Sequence, residues 1–232
     1  MPDKTSTPAS AVVLLSSGLD SAFNLLKTNG HFKVALALTF DYGQRAAVRE
    51  VEGSARLAKH FGVPHKVVTL PWFKDFTKTT LVDRSTDVPS GADVKIDSRE
   101  RSLETAKAVW VPNRNGIFLN IAAGFAEGLG ARYIVPGFNL EEAQTFPDNS
   151  GAFLKSLDDA FAFSTQNRVH THCYSTHLNK TQIVKEAIRL DLPFKLLWPC
   201  YLDGAKWCGT CESCLRFERA LKDNGLNMAS LQ

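Results

Sequence analysis

Three strand-length runs separated by helix-like stretches constrain this chain of 232 residues more than any other feature. Ala11 to Leu15 and Lys33 to Phe40 are nearly unbroken apolar segments, typical of strands covered on both faces, and His65 to Leu70 reads as a third strand. Between them, Leu19 to Thr28 reads as a helix stopped near Asn29-Gly30. From Arg45 to Phe61, Val48, Val51, Ala55, Ala58 and Phe61 recur every three or four positions before Gly62-Val63-Pro64 ends the pattern. Strand, helix, strand, helix, strand requires crossover connections, and therefore an α/β fold with a parallel sheet.

Beyond Leu70 the periodicity fades. Residues 71–108 are polar and turn-rich and are expected to form a flexible excursion over the surface. Helices are expected over Ile117–Leu129, Gly151–Phe163 and Asn179–Leu190, with a strand over Arg132–Asn139. The polar start, residues 1–10 with two prolines, is expected to be disordered, residues 11–195 to form the α/β domain and residues 196–232 a metal-bound segment. Nothing in the chain reads as a secretory signal, and its apolar runs are too short to cross a bilayer, so a soluble, cytoplasmic protein is expected. A net charge of +3 is too mild for the electrostatic footprint of a nucleic-acid binder.

The first apolar run stops on Ser16-Ser17-Gly18-Leu19-Asp20-Ser21. Backbone N–H groups at a helix start have no intrahelical partner and favour anions, and serine hydroxyls and a glycine suit a phosphate. Asp20 would repel that phosphate unless Mg²⁺ stood between them. The same turn also reads simply as a helix cap through Ser17 or Asp20. No Walker pattern and no dinucleotide glycine fingerprint is present.

Four of the five cysteines, Cys200, Cys208, Cys211 and Cys214, fall within fifteen residues, while Cys173 stands alone. Two x2 spacings and the bend permitted by Gly209 let these sulfurs meet on one metal, with zinc and an iron–sulfur centre both open on spacing alone.

The hexapeptide of the first turn resembles the SGGxDS loop of the ATP pyrophosphatase (PP-loop) superfamily. Four further stretches, in matching order, resemble its 7-cyano-7-deazaguanine synthase family: FDYGQR (Phe40 to Arg45), VPNRN (Val111 to Asn115), FPD (Phe146 to Asp148), and Cys200-Tyr201 ahead of CGTCESC. The resemblance implies a Rossmann-like, adenine nucleotide alpha hydrolase-like parallel sheet flanked by helices, with a small zinc-bound C-terminal appendage of helix and loop. It implies an ATP-dependent carbon–nitrogen ligase that converts 7-carboxy-7-deazaguanine and ammonia, through an activated carboxylate and an amide, to the nitrile precursor of queuosine. ATP would lie on Leu14, Leu15, Ser16, Ser17, Gly18, Leu19, Asp20, Ser21, Ala22, Phe23, Asn24 and Arg114, with Mg²⁺ at Asp20. Asp20, Ser21 and Lys180 would be catalytic, and Tyr42, Gln44, Arg45, Asn115, Glu142, Phe146 and Asp148 would face the substrate. Cys200, Cys208, Cys211 and Cys214 would hold one structural zinc, and the protein would be a cytoplasmic homodimer without a nucleic-acid partner.

Ser17 stands where the family carries glycine, Ala46 where histidine is common, Asn149 where cysteine usually follows YPD, and Pro199 where a small polar residue precedes Cys-Tyr; Glu142 falls on an aspartate position. A Cβ at residue 17 is expected to tighten the space around a phosphate. Two other readings remain at this level: a divergent ATP pyrophosphatase acting on tRNA or another carboxylate, and a zinc-stabilised nucleotide-binding protein without turnover.

Overall fold

A computed structural model of the chain describes residues 9–231, so most of the stretch expected to be disordered, residues 1–8, lies outside the described residues. The first strand, β1, begins at Ser10 and runs to Leu14. It is followed by α1 (Leu19–His31), β2 (Lys33–Asp41), α2 (Ala47–Phe61) and β3 (His65–Thr69), the alternation read from the apolar runs. Then come α3 (Arg99–Val109), α4 (Arg114–Gly128), β4 (Tyr133–Val135), the single turn α5 (Leu140–Ala143), α6 (Gly151–Ser164), β5 (His170–Thr171), α7 (Lys180–Arg189) and α8 (Glu212–Asp223). All five strands pair in parallel in the order β3-β2-β1-β4-β5.

Both faces of β1 are covered, which is why it shows no polar alternation, whereas the edge strand β3 leaves Lys66, Val67 and Thr69 exposed. Ala11, Val13 and Leu15 pack into one core with residues of α1, α2, α7 and α8, whereas Val12 packs into the other with residues of α4 and α6. The segment 196–232 belongs to the first core: Trp198, Cys200, Trp207, Cys214, Phe217 and Leu221 are buried in the cluster that holds Leu15 and Phe23. Chain order reverses at β1, which pairs with β2 on one side and β4 on the other. Ligands of open α/β sheets lie beyond the carboxyl ends of the strands at such a point.

Residues 71–108 differ from the expected loose excursion. They carry a 3₁₀ turn at Pro71–Asp75, another at Gly91–Asp93 and all but the last residue of α3, and they bury Phe73, Leu81, Val88 and Val94. The reason that no period is visible is that α3 buries polar groups: Thr105 donates to Glu212 Oε2 at 3.0 Å, and Ser102 accepts from Arg216 Nη2 at 3.2 Å. Hydropathy does not register burial of that kind.

Candidate active site

The turn after β1 is fixed from behind. Leu15 donates to the Leu38 carbonyl at 2.7 Å, and its own carbonyl accepts from the hydroxyls of Thr39 (2.7 Å) and Ser54 (3.2 Å). Ser17 then takes φ 58°, in the left-handed region, and its carbonyl accepts from Trp198 N–H at 2.9 Å. Gly18 is the N-cap of α1 and no side chain caps the helix, so the capping role open to Ser17 and Asp20 is filled by neither. Ser21 Oγ turns back to the turn, donating to the Gly18 carbonyl (3.1 Å) and accepting from Ser16 N–H (3.2 Å). The first-turn N–H groups are therefore left for a ligand, at the wall where Ser16, Gly18, Leu19, Asp20 and Ser21 line a cavity of about 240 Å³.

Ser17 does not line that cavity. Its side chain is fully buried against α2, where a Cβ added to Gly53 would sit 2.7 Å from both Ser17 Cβ and Oγ. The expectation that it crowds a phosphate gives way to a constraint on backbone geometry. Behind the opposite edge of the turn, a Cβ on Gly137 would lie 2.5 Å from Ser21 N and 2.6 Å from Ser21 Cα, so only glycine lets the end of β4 approach the start of α1 this closely.

Asp20, Lys180 and Glu142 meet at the base of the cavity. Lys180 Nζ stands 2.7 Å from Asp20 Oδ2 and 2.9 Å from Glu142 Oε1, and Asn139 Nδ2 donates to Asp20 Oδ2 at 3.2 Å. Burial works against the Lys180 ammonium, but Asp20 and Glu142 outweigh it and hold its pKa well above the ordinary lysine value. Asp20 Oδ1 is buried with no hydrogen-bond partner. A buried, orphaned carboxylate oxygen beside an uncapped helix start has the donor chemistry that a hard divalent cation takes.

The far wall is aromatic and cationic. Trp110 and Phe146 lie parallel, 5° between planes and 6.0 Å between centroids, and Phe118 stacks on Phe40 at 4.1 Å. Arg114 Nη1 reaches Tyr42 Oη at 3.5 Å and Nε reaches Asn115 Oδ1 at 3.4 Å; among the described residues it forms no ion pair. Asn115 lies inside α4 rather than capping it, the cap position being Asn113, and it donates to the Asp148 carbonyl at 3.4 Å. Asp148, Asn149 and Pro199 complete this side.

Several expected ligand residues lie elsewhere. Arg45 is absent from the cavity wall; its guanidinium is bonded to the carbonyls of Thr80 (2.6 Å), Asp83 (2.9 Å) and Thr86, pinning the following segment. The Gln44 amide is consumed by Phe40, Tyr42 and Glu50. Ala22, Phe23 and Asn24 are buried behind the turn, Asn24 bonding to Ser175 Oγ at 2.6 Å and to Tyr174 N–H at 2.8 Å. Conversely Glu50, Trp110 and Gly137 line the cavity without having been singled out, and Tyr201, seen only as part of a motif, lines it too. The first three are ordinary residue types for a helix, a helix end and a turn, and only the fold brings them to the strand ends.

The four cysteine sulfurs lie within 4.8 Å of one another, with Cys208 and Cys214 3.9 Å apart. Tetrahedral coordination with metal–sulfur bonds of about 2.3 Å places sulfurs roughly 3.8 Å apart, so this set fits a metal site. Backbone N–H groups of Leu202, Cys208, Thr210 and Cys211 point to the sulfurs of Cys200 and Cys208 at 3.3–3.5 Å, which favours thiolates. Cys173 lies outside the cluster.

A family model described as Queuosine biosynthesis protein QueC matches residues 10–225. The chain belongs to the QueC family. It is 55% identical over 221 residues to a 7-cyano-7-deazaguanine synthase of Bdellovibrio bacteriovorus, covering 95% of this chain and 96% of that protein. It is 48% identical over 219 residues to a 7-cyano-7-deazaguanine synthase of Methanosarcina mazei, covering 93% and 95%. Among solved structures, a 4-thiouridine synthetase in complex with RNA and bound ATP superposes with a TM-score of 0.51 at 19% identity, over 96% of this chain and 51% of that one, a likeness of fold. The chain thus shares the fold of that synthetase, and its four-cysteine cluster fits a metal site. No described helix of this QueC chain is long and apolar enough to cross a membrane.

Proposed function

We propose that this QueC protein uses ATP to convert 7-carboxy-7-deazaguanine and ammonia to 7-cyano-7-deazaguanine, with Mg²⁺ at Asp20 and zinc in the cysteine cluster. The observation that carries this reading is one cavity joining an uncapped helix start, the orphaned Asp20 Oδ1, and Arg114 without a carboxylate partner. The uncapped amides suit phosphate, and Asp20 would hold Mg²⁺, which would supply charge neutralisation there. Arg114 suits the carboxylate to be activated, since a guanidinium binds carboxylates in a forked geometry. The parallel faces of Trp110 and Phe146 suit a planar bicyclic base, and Asn115 and Asp148 stand at hand for its polar edge.

Lys180, kept charged by its two carboxylates, is placed to donate to phosphoryl oxygens as negative charge develops there. Positioning and charge supply most of what such a transfer needs, and no nucleophilic cysteine is called for. Four thiolates around zinc leave no open coordination position, which supports a structural role for that metal. Five unpaired cysteines suit a reducing cytoplasm.

ATP consumption followed with and without each co-substrate tests the reading. Turnover is expected to require both the deazaguanine acid and ammonia. Asp20→Asn keeps an oxygen for Lys180 but loses the carboxylate charge, and it should lower turnover by about 10²-fold or more with circular dichroism and melting nearly unchanged. ATP consumption indifferent to the acid, or a fully active Asp20→Asn, would contradict it.

A further inference from the structure

Glu50, in the first turn of α2, is a titratable group of the cavity wall to which the reading above gives no task. Gln44 holds it in place: Gln44 Nε2 donates to Glu50 Oε2 at 2.8 Å and to the Phe40 carbonyl at 3.0 Å, while Gln44 Oε1 accepts from Tyr42 N–H at 3.0 Å. Among the described residues no cation forms an ion pair with Glu50, and its Oε1 has no hydrogen-bond partner. The other carboxylates of the wall are engaged differently. Asp20 and Glu142 are both held by Lys180, and Asp148 Oδ1 accepts from Asn149 at 3.4 Å.

The charged and titratable groups facing Glu50 are Arg114 from α4, Asp41 at the end of β2, and the Tyr42 phenol. Burial outweighs the Gln44 bond and the Arg114 charge, and with a contribution from Asp41 it pushes the Glu50 carboxyl up to about 7. A base with such a value works near neutral pH.

We propose that Glu50 is the proton acceptor of the amination step, taking a proton from the nitrogen nucleophile on its free Oε1. The assignment rests on the nitrile-forming reading above. Ammonia attacks the activated acyl carbon with its lone pair, and the new C–N bond leaves the nitrogen positively charged. One N–H bond must break to give the amide. The proton passes to Glu50 Oε1, the C–O bond to the phosphate breaks with its electron pair leaving on the phosphate, and Glu50 returns the proton to water. No oxidant or further reactant is needed.

The test compares wild type with Glu50→Gln, which keeps an oxygen for Gln44 but cannot take the proton, and with Glu50→Asp as the conservative variant. For wild type, kcat/KM for free ammonia should rise with pH through about 7. Glu50→Gln should lose that limb and about 10²-fold or more in kcat, with ATP affinity unchanged, and Glu50→Asp should recover part of both. A carboxyl raised on folding contributes stability below its unfolded value that is lost as pH rises through the folded value, so wild type should lose melting temperature relative to Glu50→Gln between about pH 5 and pH 8. An active wild type whose limb survives Glu50→Gln, or vanishes with Asp148→Asn instead, would overturn this assignment alone. A wild type that makes no nitrile would overturn the function above and this step with it.

Discussion

Ser17 adopts a backbone conformation that favours glycine, and it buries a hydroxyl with no partner. A left-handed non-glycine residue costs about 1–2 kcal/mol, and an orphaned buried hydroxyl costs about 1–3 kcal/mol. Glycine would relieve both at the expense of roughly 0.5–1 kcal/mol of chain entropy, so Ser17→Gly should stabilise the protein by about 1 kcal/mol in urea unfolding. Gly53 is the partner of this departure, because its missing Cβ is the space that the Ser17 side chain occupies. Gly53→Ala should destabilise the wild type by about 2 kcal/mol through overpacking. On the Ser17→Gly background the same change meets no side chain and should be neutral or stabilising by up to about 1 kcal/mol, as alanine is in a helix interior. Additive effects of the two substitutions would show that the contact does not govern residue 17.

At the scale of elements, the cysteine segment and the floor of the cavity at Lys180 and Glu142 are tied together by α8. This helix starts at its cap Cys211, and Arg216 bonds Glu212 at 2.7 Å and Glu141 at 3.1 Å, while Arg219 reaches both oxygens of Glu141 at 2.7 Å. Glu141 in turn accepts from the Lys180 backbone N–H at 3.0 Å and adjoins Glu142. The segment 71–108 is fastened to the same place, with Ser90 bridged to Cys211 and Gly91 N–H bonded to the Thr210 carbonyl at 2.9 Å. Removing the metal should therefore do more than loosen one loop. Elemental analysis is expected to find about one zinc per chain, and chelation to lower the melting temperature by several degrees while weakening ATP binding. A brown, iron-containing protein, or melting and ATP binding indifferent to chelation, would contradict this.

Across the whole molecule, what was legible from sequence was what hydrophobic burial writes. Strands β1 and β2, buried on both faces, showed as unbroken apolar runs, and α2 showed its stripe. Helix α3 did not, because it docks through Ser102 and Thr105 on the charged face of α8, and β5, with only two residues, carries no pattern at all. In the cavity, Asp20, Arg114 and Cys200 were visible as motif residues, whereas Glu50 and Trp110 arrive there only through the packing of α2 and the end of α3 against the strand ends. Arg45 and Gln44 sit within a motif, yet their polar atoms are bonded to neighbouring backbone and to Glu50. These groups are proposed to form one site for carboxylate activation and amination. Mass spectrometry after incubation of the purified protein with Mg-ATP, ¹⁵N-ammonia and 7-carboxy-7-deazaguanine tests it most directly. The expected product is 7-cyano-7-deazaguanine carrying the ¹⁵N label in its nitrile; ATP bound or consumed with no labelled nitrile formed would overturn the proposed single site.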